Sequence, residues 1–305
     1  MENFIESLKG QTVRDLNELM FHHANKGDLE KVKILLTSNE IDTHAKLSGN
    51  TDTLLIYACA SGNIELVKYV LTSPELSEHP HINYDNDMAL STACKYGHLE
   101  LVKYLIESPE LTEHSQIPFL HRSSQNPIVL SLENNNFDLF KYLISVAKGK
   151  DERLNDYVSR ATHSFASESD LSSIKNMIEV GKKYDNEILT AILEGIVHSA
   201  CYTNSVEPIK YIFGSPELKQ YVDIHKDNDS IFHGALTLTR RTKDIDVLQY
   251  LIFDLNITET ERIKNLRSRI PREEVEKLFK LRDLSETLGK DLSLNPNTKM
   301  KKPKL

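Results

Sequence analysis

Three cysteines and twelve histidines are the residues of this 305-residue chain best equipped for chemistry. A thiolate is a nucleophile and a metal ligand, and an imidazole is a base and a metal ligand. A structural zinc site needs four such ligands, and a nucleophilic cysteine or serine needs a base with a group that orients it. The cysteines, Cys59, Cys94 and Cys201, are widely spaced. His22 and His23 are adjacent but have no third ligand at usable spacing, and His79 and His81 flank Pro80, so they point differently. The chain has no glycine-rich phosphate loop and no Gly-x-Ser-x-Gly elbow. Its carboxylates scatter along solvated helix faces. No catalytic residue, no metal ligand and no cofactor is expected, so the chain is read as a non-enzyme.

The elements around these residues are written repeatedly. Residues 62–76 read GNIELVKYVLTSPEL and residues 97–111 read GHLELVKYLIESPEL, identical at ten of fifteen positions. The apolar part of the phrase recurs as GDLEKVKILL from Gly27, NNFDLFKYLI from Asn135 and SDLSSIKNMI from Ser169. It returns as NSVEPIKYIF from Asn204 and KDIDVLQYLI from Lys243. The seven copies are spaced by 35, 35, 38, 34, 35 and 39 residues, which marks stacked units with variable loops. In the third copy Leu99, Val102, Leu105 and Ile106 fall on one helix face. The leading glycine suits a tight turn, and Ser73-Pro74, Ser108-Pro109 and Ser215-Pro216 stop the helix. A second short apolar stretch precedes each copy, as in TLLIYACAS before Gly62. Each unit therefore reads as helix, turn, helix, long loop.

This frame places the cysteines. Each lies three residues before its aligned Gly62, Gly97 or Asn204, so all three occupy one slot of the first helix. Equivalent atoms of stacked helices stand about 8–10 Å apart. A disulfide needs Cα atoms within about 7 Å, so the slot predicts small buried side chains rather than a bridge or shared zinc.

Composition narrows the class further. The chain has 39% hydrophobic and 27% charged residues and no tryptophan. No run is long and apolar enough to predict a membrane span, and the N-terminus lacks the pattern of a secretory signal. Few cysteines point to a reducing compartment, hence a cytoplasmic location. The net charge of −8 argues against a general nucleic-acid binder.

The repeats resemble those of the ankyrin-repeat family over residues 13–257. That family opens its first helix with Thr-Pro-Leu-His and then x-Ala-Ala-x-x-Gly. Asn126-Pro127 keeps the proline, and His198 and His233 keep the histidine. Copies two and three keep only the small residues, and copy five, Arg160 to Ser169, is the least recognisable. The resemblance implies an all-α solenoid of stacked helix-turn-helix repeats. It also implies that His198 and His233 bond backbone and order a loop.

The resemblance further implies a concave face built from loop tips and exposed first-helix positions, and a protein as the partner. The face positions precede the glycine by five, two and one residues. They give His22, Asn25 and Lys26, then Tyr57, Ala60 and Ser61, then Thr92, Lys95 and Tyr96. Copy four gives Leu130, Glu133 and Asn134, and copy six gives Ser199, Tyr202 and Thr203. From these the candidates are Tyr57, Lys95, Tyr96, Leu130 as an exposed leucine, and Tyr202, since aromatic residues concentrate at interfaces. The polar loops HINYDND and HKDND add Asp85, Asp87 and Lys226. The stretch FLHRSSQ adds Phe119 and Arg122, and an insertion expected to form a loop in copy seven adds Arg240 and Arg241.

At the ends, residues 1–12 are expected to form a capping helix. Residues 258–292 are expected to form a two-helix C-terminal cap, with Thr258 and Glu261 as a capping box and Val275, Leu278, Phe279 and Leu281 facing inward. Residues 293–305 read as a disordered basic tail, and Lys301-Lys302-Pro303-Lys304 resembles a nuclear-import signal. The Lys- and Asn-rich repeats resemble those of viruses, large phages and intracellular bacteria. On that analogy the chain is an inhibitor or effector of a host protein, working in the host cytosol. The alternatives are a small-molecule or nucleotide binder with a pocket between long loops, and an enzyme with its site in copy five. Oligomeric state is left open.

Overall fold

The computed structural model describes residues 2–47, 49, 51–117, 126–133, 135–150, 152–242, 244–269 and 273–293, without the side chains of 133, 228, 240, 269 and 288–293. Every regular element among them is helical. The chain divides into two compact units, Met1–Phe165 and Ala166–Leu305.

The first unit opens with α1 (Glu2–Leu8). Helix pairs follow: α2 (Val13–Asn25) with α3 (Leu29–Thr37), α4 (Thr51–Ser61) with α5 (Ile64–Thr72), and α6 (Tyr84–Lys95) with α7 (Leu99–Glu107). The next pair is α8 (Pro127–Glu133) with α9 (Phe137–Ala147), and α10 (Leu154–Glu168) begins the copy after it. First helices stack on first helices, α2 on α4, α4 on α6 and α6 on α8, and each packs on its own second helix. This part of the chain is an α-helical solenoid.

Local chemistry sets the helix ends. Thr12 accepts from the Asp15 N–H, and the Asp15 carboxylate accepts from the Thr12 N–H, a full capping box. Asp28, Asn63 and Asn136 accept from the amide three residues on and so start α3, α5 and α9. The turn before them needs a positive φ. Gly27, Gly62 and Gly97 supply it, and so does Asn135, at 55°. The apolar stripe of the third copy is Leu101, Val102, Tyr104 and Leu105. Leu99 and Ile106, expected inside, are half-exposed. Cys59 and Cys94 are free and fully buried, and burial pushes both thiols up. Changing either to alanine removes one buried sulfur, so a loss of about 1 kcal/mol in a urea titration is expected, with binding intact.

The second unit holds α11 (Leu171–Gly181), α12 (Asn186–Thr203) and α13 (Val206–Gly214). A short 3-10 turn at Lys219–Tyr221 leads to α14 (Lys226–Thr242). Then come α15 (Asp246–Gln249), which runs on as a π turn over Tyr250–Asp254, α16 (Glu261–Arg269) and α17 (Glu273–Ser293). Asn204 caps α12 with φ 54, in the glycine slot. Cys201 is buried, which pushes its thiol up to about 12.

Three expectations are corrected in this unit. Arg240 and Arg241 sit in the last turn of α14, because the insertion lengthens the helix instead of forming a loop. The cap of α16 is Thr260, which accepts from the Ile263 N–H at 3.1 Å, rather than Thr258. Leu281 is 43% exposed, whereas Val275, Leu278 and Phe279 are buried as the pattern predicts. Arg267 holds α16 to α17. Its guanidinium bonds both Glu276 oxygens, at 3.1 and 2.7 Å, contacts Glu259 and lies 3.7 Å over the Phe279 ring. The basic tail beyond Ser293 and Pro271 fall outside the described residues.

Candidate interaction surface

The C-terminal turns of α2, α4 and α6 present one face of the first unit. Tyr57 is 39% exposed and Tyr96 55% exposed, both high for aromatic residues. The Phe21 ring lies against Tyr57, with centroids 5.4 Å apart. Tyr96 stacks near His98 at 6.3 Å, and the Lys95 ammonium lies 6.0 Å over the Tyr96 ring. His22, Asn25, Lys26 and Lys95 are exposed beside them, and Ala60, Ser61 and Thr92 are half-exposed. Small residues in the middle leave the aromatic faces accessible.

Other candidates lie elsewhere. Leu130 is 5% exposed. The register of copy four predicted it outward, but α8 reads PIVLSLE, which is apolar on nearly every side, and every residue from Asn126 through Leu132 is buried. Ser199, in the same slot of copy six, is also buried. Asp85 is exposed, at the opposite end of α6 from Lys95. Asp85, Asn86 and Asp87 all have left-handed backbones, with φ of 46°, 56° and 58°. That turn rotates Asp87 inward to 8% exposure, so it is a loop anchor and not a contact residue. In the second unit Tyr202 is 46% exposed and lines Gly234, where an added Cβ would meet its ring at 3.1 Å. Lys226 pairs with Glu194 at 2.7 Å, and Arg241 is exposed. Phe119, Arg122, Asn134 and the side chains of Glu133 and Arg240 fall outside the described residues.

His198 and His23 are structural, though not as the resemblance implied, and His233 is not placed to order a loop. His198 Nε2 lies 3.1 Å from the Ser230 hydroxyl, so it joins α12 to α14, and burial lowers its pKa. His233 is exposed. His23 is buried against Phe4, and burial holds its pKa down. Among the described residues no cluster of three or more His, Cys, Asp or Glu could hold a metal ion.

What holds the loops at the N-terminal ends of α2, α4 and α6 was missed in the sequence. Asn17, Asp52 and Asp87 accept from the backbone N–H of Lys46, His81 and Gln116, at 2.8, 2.8 and 3.0 Å. Both sets recur every 35 residues. The signal was present: one column, ten residues before the glycine, always holds a short side chain with an acceptor oxygen. His44, His79 and His114 form a second such column. His44 and His114 Nε2 bond the carbonyls of Ser38 and Ser108, at 2.7 and 2.8 Å. In copies one and three the amides of Ala45 and Ser115 bond the carbonyls of Leu35 and Leu105. Pro80 has no N–H to do the same, and His79 Nδ1 takes over, 3.1 Å from the Val70 carbonyl.

Burial raises the Asp87 pKa above 3.8, against the Gln116 N–H and the Ser115 hydroxyl, which pull it down. A carboxyl with a raised folded pKa binds more protons folded than unfolded. Stability due to Asp87 therefore rises as pH falls through that window, and at neutral pH the buried charge is unfavourable. Asp87→Asn keeps the acceptor, as Asn17 shows, and removes the charge. It should be at least as stable as the parent at pH 7, with a flatter pH response. Asp87→Ala orphans the Gln116 amide and should lose about 1–2 kcal/mol. Urea midpoints across pH 4–7 separate these results.

A family model described as ankyrin repeats (3 copies) matches residues 19–117 and 74–156. Residues 19–156 of the chain therefore carry ankyrin repeats. Repeats of this kind serve generally as protein–protein interaction modules. No curated protein matches the chain. No helix among the described residues is long and apolar enough to cross a membrane.

Proposed function

We propose that this protein binds another protein without catalysis, through the face built by the ends of α2, α4 and α6 and the loops beside it. The observation that carries the reading is the pair of exposed rings, Tyr57 and Tyr96, on adjacent first helices, set among small and polar neighbours. A single repeat cannot bury its own apolar face, so stacked helices hold these rings in place before any partner arrives. Pre-ordered side chains lose less entropy on binding. The partner is acted on by occlusion or recruitment, and inhibition of a host protein in the cytoplasm remains the specific form proposed. The test is affinity capture from the source cell, comparing the native protein with Tyr57→Ala/Tyr96→Ala. A protein enriched by the first and lost with the second supports the reading. Capture that the double change leaves intact removes this face from it.

A second reading attaches to a cleft of about 480 Å³ between two loops, lined by Leu71, His79, Ile82, Glu110, Leu111 and Glu113 among others. Its size suits a small molecule, whose sites span about 300–1,000 Å³. Two carboxylates at the rim disfavour nucleotide phosphates, so a thermal-shift screen with nucleotides should show no stabilisation.

A further inference from the structure

We infer that the partner segment is acidic and carries an apolar side chain between its acids. This rests on the protein-binding reading above and gives it a chemistry. The chain as a whole is acidic, at −8, yet the nine face positions of copies one to three contain no carboxylate. They contain Lys26, Lys95 and His22 instead, all exposed. The acids of these copies are placed or engaged elsewhere. Glu30, Glu65 and Glu100 open the second helices, and each pairs with the lysine three residues on. On the first helices Asp15 caps Thr12, Glu18 pairs with Arg14 at 3.2 Å, and Asp52 and Asp87 hold loop amides. Asp85 is exposed but lies at the far end of α6 from Lys95, and the exposed Glu40, Asp42, Glu75, Glu78 and Glu113 lie in the loops between repeats rather than at the face positions.

A lysine at a helix C-terminus also complements the helix dipole. That alone does not require the pattern, because α4 ends in Ala60 and Ser61 with no cation there. Lysines also lie over Tyr69 and Tyr104, but those rings are buried; what distinguishes the face is a cation beside exposed aromatic rings. Lys95 lies over Tyr96, and Lys26 follows the helix that carries Phe21, which packs on Tyr57. An apolar side chain lying on Tyr57 and Tyr96 would have lysines to either side for flanking carboxylates. Charge complementarity of this kind steers encounter and selects against basic partners. Two lysines on a chain of net negative charge are too few to neutralise a phosphate backbone, which favours an acidic polypeptide over nucleic acid.

The test is selection of random dodecapeptides, displayed on phage, against the full-length protein, with Tyr57→Ala/Tyr96→Ala as counter-selection. Enriched peptides should carry net negative charge with at least one aliphatic or aromatic residue. The leading peptide, followed by fluorescence anisotropy, should weaken by about tenfold with Lys26→Glu/Lys95→Glu and weaken as salt is raised. Face-dependent peptides that are neutral or basic would overturn the acidic partner while leaving the binding face standing. Affinity unchanged by the charge reversal would do the same. No face-dependent peptide would remove both. A single-stranded oligonucleotide that displaces the peptide and binds more tightly would overturn the polypeptide assignment.

Discussion

Gly62→Ala is expected to lower stability by about 3 kcal/mol. Gly62 has φ +73°, where a Cβ is strained by about 1–2 kcal/mol in any surroundings. Here the surroundings are also closed. An added Cβ would lie 2.4 Å from His98 Nδ1 and 2.5 Å from Cε1, so the imidazole must move. That ring holds the Ala60 carbonyl through Nε2 at 3.0 Å, and losing the bond adds about 1 kcal/mol. Gly10 and Gly149 serve as controls. Both have φ 77° and nothing within 4 Å of an added Cβ, so alanine there should cost only the backbone share. Urea midpoints of the three variants separate strain from collision. If Gly62→Ala is no worse than Gly10→Ala, the ring is not held as described. His98→Asn should be nearly neutral, because Asn63 and Asn136 in the same slot bond the leading-glycine carbonyl of the preceding repeat, Gly27 or Gly97, in place of the carbonyl two residues earlier that His98 uses.

The same contact shows why the repeat was legible in the sequence and its joints were not. A slot that needs a positive φ admits few residue types, so Gly27, Gly62, Gly97, Asn135 and Asn204 mark the period by themselves. A slot that needs only a donor for a neighbour's carbonyl admits asparagine or histidine, and Asn63, His98 and Asn136 do not look alike as text. The surface followed a similar rule. Tyr57, Tyr96 and Tyr202 are exposed where the register put them. Leu130 failed because α8 has no polar side to turn outward. Asp87 failed because three consecutive left-handed residues rotate it, and a one-letter pattern does not carry backbone handedness.

The C-terminal helices depend on a cation in a way that periodicity cannot reveal. Arg267 and Arg282 both lie over the Phe279 ring, with guanidinium carbons 3.7 and 4.8 Å from its centroid. Arg267 is only 16% exposed in its side chain and is bound to Glu276 and Glu259. Glu259 keeps a second cation, Arg282, at 3.9 Å, and Arg282 also donates to the Ile257 carbonyl. Arg267→Ala removes the stacking and the forked bond and leaves two carboxylates without their shared partner. Breaking a mostly buried ion pair from one side costs about 3–5 kcal/mol, and partial exposure of Glu276 places this one at about 3. Arg267→Lys should recover little, since a point charge reproduces neither the fork nor the flat stack. Hydrogen exchange reads the result by location. Amides of α16 and α17 should exchange faster in Arg267→Ala, while those of α2 to α7 keep their rates. Equal rates in α16 and α17 for parent and variant would mean that burial of Val275, Leu278 and Phe279 holds these helices without the arginine, and that the ion pairs only follow the packing.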